Sequence, residues 1–262
     1  MTQRTRPIVV GIVNVTPDSF FDGGRHGNGV AHAEALLAAG ADWIDVGGES
    51  TRPGAASVDA ETEWRRVRGV VEALGSSVPV SIDTSKAAVA ARALAAGAQI
   101  INDVSGLSDP AMPDVTADAF ATIVMHMRGT PKTMSQHTDY QDLVGDVATW
   151  LKERAQLAKS ETVWIDPGIG FAKTPDQSIL LLQHTDRLVA TGHPVLIGAS
   201  RKSFIGHTLG IDDPEDRLGG SLAAVASSWA KGAQAFRVHD VAETRQLLDL
   251  LYAIETPAQI AP

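Results

Sequence analysis

The sequence predicts one (β/α)8 barrel, a TIM-type α/β fold, and three observations predict it. The chain has 262 residues, close to the roughly 250 residues of one such barrel. Short β-branched runs alternate eight times with longer Ala/Leu-rich amphipathic runs, which is the pattern of parallel strands joined by helices. No Pro/Ser-rich linker or low-complexity stretch breaks the series, so 1–262 reads as a single domain with 256–262 as a loose tail. An open doubly wound sheet is the rival. It would usually carry a G-x-G-x-x-G or G-x-x-x-x-G-K-[ST] turn after its first strand, and neither follows Asn14.

The strands are predicted at Ile8–Asn14, Trp43–Val46, Val78–Asp83, Gln99–Asp103, Thr122–His126, Val163–Asp166, Val195–Gly198 and Ala235–His239. Each is apolar almost throughout, as strands covered on both faces must be. Between the second and third strands, Trp64, Val67, Val71 and Leu74 share one helical face. Gly40 and Gly97 close Ala-rich runs at positions suited to a left-handed C′ residue. The last helix places Val241, Leu248, Leu251 and Ile254 on one face, with Asp240 as its cap and Glu243 completing a capping box. The small-residue run Gly219–Ala230 suits either packing on the barrel or a contact between subunits.

Composition narrows the function classes. Hydrophobic residues make up 44% and charged residues 20%, with a net charge of −9, so there is no basic footprint for nucleic acid or an anionic membrane. An anionic substrate would need a local basic cluster instead. The chain has no cysteine, which excludes disulfides, thiol nucleophiles and thiolate metal sites. No signal-peptide core or long apolar span is legible, so the expected location is the cytoplasm.

The polar residues are concentrated where a barrel carries its active site, at the C-terminal ends of the strands. Asn14, Asp45, Asp83, Asn102 with Asp103, His126, Asp166, Ser200 with Arg201 and Lys202, and Arg237 with His239 all fall there. Any one of them is as easily a helix cap, but the set predicts a site. Asp83, Asn102 and Asp166 suit a flat heterocycle with ring N–H groups, or positive charge developing on it. They equally suit a divalent cation, since hard ions take oxygen ligands. Arg52, Arg201, Lys202, Arg237 and His239 form a basic set fit for phosphate. Two loops, 15–24 and 47–54, have the glycine-rich composition of lids. His32, His137, His184, His193 and His207 read as surface or loop residues.

These motifs resemble those of the dihydropteroate synthases. The resemblance spans about Ile8 to Ile254 and rests on Asn14-Val-Thr-Pro-Asp-Ser-Phe, Asp45-Val-Gly-Gly-Glu-Ser-Thr-Arg-Pro-Gly, Ser81-Ile-Asp-Thr, Asn102-Asp-Val-Ser-Gly, Met125-His-Met, Asp166-Pro-Gly-Ile-Gly-Phe, Gly198-Ala-Ser-Arg-Lys-Ser and Arg237-Val-His-Asp, in family order. It implies condensation of (7,8-dihydropterin-6-yl)methyl diphosphate with 4-aminobenzoate, assisted by Mg2+, by a dissociative route without a protein nucleophile. It implies that Asp83, Asn102, Asp166 and Lys202 hold the pterin, with Met125 and Gly198 beside it, and that Asn14 ligates Mg2+. Thr51, Arg52, Arg237 and His239 would bind the diphosphate. Phe171, Ser203, Thr51, Pro53 and Phe20 would shape the arylamine pocket, with Asp18 ordering the closed site. Asp83, Asn102, Asp166, Lys202, Arg237 and His239 are thus the expected catalytic set, and a homodimer is the expected assembly.

The chain departs from the family pattern in two places. Phe21 stands where Ser is common, and 159–162 is shorter than usual. The intact Gly-Gly-Glu-Ser-Thr-Arg-Pro run favours a sulfonamide-sensitive form. A corrinoid-linked pterin methyltransferase or an inactive paralogue is the alternative. The former has no need of a diphosphate site, against which Ser200-Arg-Lys-Ser and Arg237-Val-His argue.

Overall fold

The computed structural model describes residues 5–16, 27–52 and 54–256. Eight parallel strands run β1 (Ile8–Asn14), β2 (Trp43–Gly47), β3 (Val80–Asp83), β4 (Ile100–Asp103), β5 (Ala121–Met125), β6 (Thr162–Asp166), β7 (Leu196–Ile197) and β8 (Ala235–Val238). Their order in the sheet is β6-β5-β4-β3-β2-β1-β8-β7. The ring is closed between β6 and β7 by the bridge Ile165–Val195 and by Ile165 N donating to the Pro194 carbonyl at 3.0 Å. This is the expected barrel. Helices α1 (Gly27–Ala38), α2 (Ala60–Leu74), α3 (Ala87–Ala95), α4 (Met112–Val115), α5 (Leu143–Ala155), α6 (Pro175–Gln183), α7 (Thr185–Val189), α8 (Ser203–Leu209), α9 (Leu218–Ala230) and α10 (Val241–Glu255) surround it.

Strand pleating decides what fills the interior, because alternate side chains face inward. The inward columns begin with apolar residues at the N-terminal ends. Val10, Ile100, Ala121, Ile123, Trp164, Leu196 and Ala235 form one buried cluster, with Ile8 and Trp43 packed on it. Trp43 meets Trp164 edge-on at 5.4 Å. Two residues further along the same columns stand Asp45 after Trp43, Asn102 after Ile100, Asp166 after Trp164, and Arg237 after Ala235. The barrel is therefore plugged with hydrocarbon at one end and lined with charge at the other. A second, larger cluster lies between the strands and the helices.

Trp64, Val67, Val71 and Leu74 are buried in α2 as expected. Gly40 and Gly97 have φ of +101° and +111°, the left-handed conformation their positions call for. The run within α9 packs on the barrel through Ser221, Ala224, Val225, Ser228 and Trp229. Three expectations need correction. The third strand starts at Val80, because the Val78 N–H closes the end of α2 on Leu74 and Pro79 has no N–H to pair. On α10 only Val241 and Leu248 of the expected face are buried, and Ile254 is 65% exposed where the helix runs past the barrel. Asp240 does not cap that helix with its side chain, because its carboxylate is occupied by both Nε and Nη2 of Arg201, at 3.1 and 2.6 Å.

Candidate active site

The polar rim gathers into one cluster whose centre is Arg237. Its Nε donates to Asp45 Oδ2 at 2.6 Å and its Nη2 to Asp83 Oδ2 at 2.9 Å. Asn102 Nδ2 donates to the same Asp45 oxygen at 3.2 Å. Register explains the meeting: Asp83 pairs with Gly47 on one side and Asn102 on the other, and Asp45 lies one inward layer deeper on β2. Asp45 is fully buried, and Asp83, Asn102 and Asp166 are no more than 7% exposed.

Asp166 and Lys202 complete the floor. A carbon attached at Gly198 would stand 3.7 Å from Asp166 Oδ2 and 3.9 Å from both Lys202 Nζ and Arg237 Cβ. Gly198 thus leaves open the space between Asp166 Oδ2 and Lys202 Nζ, beside the stem of Arg237. Asp166 Oδ1 accepts from the Gly168 N–H at 2.7 Å. Lys202 Nζ donates to the Ile169 carbonyl and lies 4.6 Å from the centre of the Phe171 ring, a cation–π distance.

Burial governs the charges. It pushes Asp83 up to about 7 despite the opposing pull of Arg237, and Asp45 adds to the rise. Burial also raises Asp166, against the pull of Lys202. It lowers Lys202 to about 8, against Asp166. The pocket therefore holds carboxylates that favour receiving protons or N–H donors, next to an ammonium that readily gives one up.

Around this floor the other expected residues fall as follows. Asn14 ends β1, and its Oδ1 lies 3.6 Å from the point a carbon on Gly47 would occupy, which is 3.5 Å from Asp83 Oδ2. Met125 is buried with Met127, Met134 and Ala172, and Phe171 packs against this group. Ser203 is exposed at the first turn of α8. Thr51 is half-buried and Arg52 exposed. His239 sits on the rim, its ring Nδ1 3.1 Å from Ser200 Oγ, and its backbone N–H donates to the same oxygen. Desolvation, followed by Arg237 and Arg201, holds its pKa below the usual histidine range. Asp18, Phe20, Phe21 and Pro53 lie outside the described residues.

The structure also separates residues that the sequence grouped. Arg201 is paired in a fork with Asp240 and does not join the open basic set. Asp103 faces away from the cluster and builds a turn, accepting from Ser105 N, Ser105 Oγ and Leu107 N at 2.7, 2.7 and 3.0 Å. The short stretch 159–162 enters β6 at its N-terminal end, on the rim opposite the site.

Asp45, named among the strand-end polar residues but left out of the expected catalytic and binding sets, is a member of the cluster. Its signal was the two-residue step from Asp45 to Gly47, the same step that separates Ser81 from Asp83. Loop 47–54 also has an anchor that was not foreseen. Lys86 Nζ donates to Glu49 Oε2 at 2.6 Å and to Glu63 Oε2 at 2.5 Å, and Arg66 Nη1 donates to the Gly48 carbonyl at 2.7 Å.

A barrel whose mouth holds buried carboxylates and an amide against a guanidinium and an ammonium is built for a flat, nitrogen-rich ring. In keeping with this, the profile described as "Pterin binding enzyme" matches residues 10–239, which puts the chain among the pterin-binding barrel enzymes. A dihydropteroate synthase of Neisseria meningitidis serogroup C is 45% identical over 257 residues, covering 93% of this chain and 91% of that one. The Xanthomonas albilineans dihydropteroate synthase solved with 4-aminobenzoic acid superposes with a TM-score of 0.90 at 44% identity, covering 97% and 94% of the two chains. Its complex with 7,8-dihydropteroate gives 0.86 at 40% identity, covering 97% and 95%. The chain belongs to the dihydropteroate synthase family.

Proposed function

We propose that the chain condenses (7,8-dihydropterin-6-yl)methyl diphosphate with 4-aminobenzoate to give 7,8-dihydropteroate and diphosphate. The observation that carries this is the buried set Asp45, Asp83, Asn102 and Asp166 facing Arg237 and Lys202. Asp83 and Asp166 accept from ring and exocyclic N–H groups, and Asn102 complements them. Lys202 and Phe171 bracket one edge of the space. Arg52, Arg237 and His239 meet the diphosphate at the rim together with Thr51, while Ser203 at the start of α8 and the wall of Phe171 bound the arylamine.

The C–O bond to the diphosphate breaks first, and the leaving group takes the electron pair. The pterin methylene left behind is cationic, and the buried carboxylates stabilise that charge in surroundings of low polarity. The lone pair of the neutral arylamine then forms the C–N bond, and the nitrogen sheds one proton to solvent water. Asn14 is the residue that would hold Mg2+: its side-chain oxygen is a hard donor at the C-terminal end of β1, beside Gly47, and this ion takes few protein ligands beside phosphate and water. Bound there, it would neutralise charge on the departing diphosphate.

The test is diphosphate release from the dihydropterin substrate, with and without 4-aminobenzoate, in the wild type, Lys202→Ala and Asp166→Asn. Release that 4-aminobenzoate accelerates and that falls by about two orders of magnitude in each variant is expected, the scale of losing one charge-stabilising group. A folded wild type that binds pterin but releases nothing would sink the reading. The chain is also proposed to form a homodimer. Support comes from Ile179 and Leu180 on α6 and Leu209 on α8, exposed apolar residues on helices that pack against each other.

A further inference from the structure

The loop after β6, residues 167–174, is held by a side chain that the reaction above does not use. Lys173 is only 8% exposed, and its hydrogen-bonding partners among the described residues are neutral. Its Nζ donates to the Phe171 carbonyl at 2.9 Å and lies 3.0 Å from His126 Nδ1. His126 is itself buried, with its ring edge-on to Trp150 at 4.8 Å. Burial first, then Lys173 and Arg128, push the imidazole down to about 2. With Lys173 Nζ donating, the neutral ring accepts at Nδ1 and carries its proton on Nε2.

Burial lowers the Lys173 ammonium to about 7, against the pull of Asp166, the cost of a buried amine with no carboxylate hydrogen-bonded to it, and the loop it grips explains its presence. The backbone enters the left-handed region at Gly168, Gly170 and Ala172, with φ of +67°, +79° and +49°, so no regular ladder holds it. Side chains tie it down one residue at a time. Asp166 takes the Gly168 N–H, Ser178 Oγ the Gly170 N–H, and Tyr140 donates to the Ala172 carbonyl. Lys173 takes the carbonyl of Phe171. The Phe171 ring faces Lys202 Nζ, and the Ile169 carbonyl of the same loop accepts from that Nζ.

We propose that Lys173, seated on His126, is a positioning residue that fixes the Phe171 wall and so sets how tightly the arylamine substrate is held. The proposal rests on the synthase reading above. Lys173→Met keeps the length of the side chain and removes the donor. KM for 4-aminobenzoate is expected to rise about tenfold with kcat changed less than about twofold, the mark of lost ground-state binding. In a Phe171→Ala background the same substitution should have no further effect, because a residue that acts through another is not additive with it. An unchanged KM, a fall in kcat at constant KM, or additivity with Phe171→Ala would overturn the proposal.

Amide hydrogen exchange tests the tether without substrate. Exchange at Gly168, Gly170 and Phe171 should quicken about tenfold or more in Lys173→Met while the β4 and β5 amides keep their rates, a local opening. Unchanged loop rates overturn the proposal even where the synthase activity stands. A wild type lacking activity refutes the synthase reading, and the exchange rates still decide the tether. Should Lys173→Met fail to fold, His126→Leu is compared with His126→Asn, which restores an acceptor near the place of Nδ1. Only the leucine variant is expected to raise KM and loosen the loop, and equal behaviour of the two overturns the proposal.

Discussion

At Gly198 the absence of a side chain matters more than any backbone freedom. A methyl there would meet Asp166, Lys202 and Arg237 at 3.7–3.9 Å, ordinary contact distances, so Gly198→Ala should fold without strain. The methyl would still occupy the space proposed for the pterin ring. By calorimetry, affinity for the dihydropterin substrate is expected to fall at least about tenfold, roughly 1.4 kcal/mol, with the melting temperature nearly unchanged. Equal affinity would place the ring elsewhere in the barrel mouth. At this scale the sequence was legible wherever a polar residue ended a strand, as Asp83, Asn102, Asp166 and Arg237 did. It was less legible for Asp45, whose place depends on register with β1 and β3. Pairings such as Arg201 with Asp240, or Lys173 with His126, join residues 39 and 47 positions apart, and no local pattern announces them.

Among the elements, loop 47–54 takes its starting direction from α2 and α3. Glu63 on α2 is 1% exposed, and Lys86, immediately before α3, joins it to Glu49 of the loop. Lys86→Met would leave the Glu63 carboxylate buried without its cation. The expected cost is about 3 kcal/mol, at the low end for a broken buried pair because Lys86 keeps some contact with solvent, measured by urea unfolding. Adding Glu63→Gln should recover most of it, and a double variant no better than the single one would show that the pair does not carry the cost. Strand positions were readable because a strand enclosed on both faces is apolar throughout, whatever its neighbours. Their ends were less so. His126 lies just past β5, and β7 is only Leu196–Ile197, since pairing rather than composition ends a strand. The capping role expected of Asp240 was lost to competition from Arg201.

For the whole molecule, the fold was the most legible feature, because eight alternations in one undivided chain of this length leave few architectures open. Assembly was the least legible, since a helix that packs on its own barrel and one that packs on a partner share the same periodicity. The exposed trio Ile179, Leu180 and Leu209 gives that question a direct test. Leu180→Glu with Leu209→Glu is expected to convert a dimer into a monomer in sedimentation velocity, because a homodimer interface of this kind is largely apolar. An unchanged sedimentation coefficient in a dimeric protein would move the interface to another face. No helix among the described residues is long and apolar enough to cross a membrane.

The ring of strands has one thin join, between β6 and β7, where a single bridge and the Pro194 carbonyl replace a full ladder. Asp166 stands on one side of that join and Lys202 on the other, both facing the space beside Gly198. A ligand held by both residues works as a clasp across the slit. Its binding energy would then also stabilise the closed circle, and the barrel would be most firmly shut with such a ligand in place.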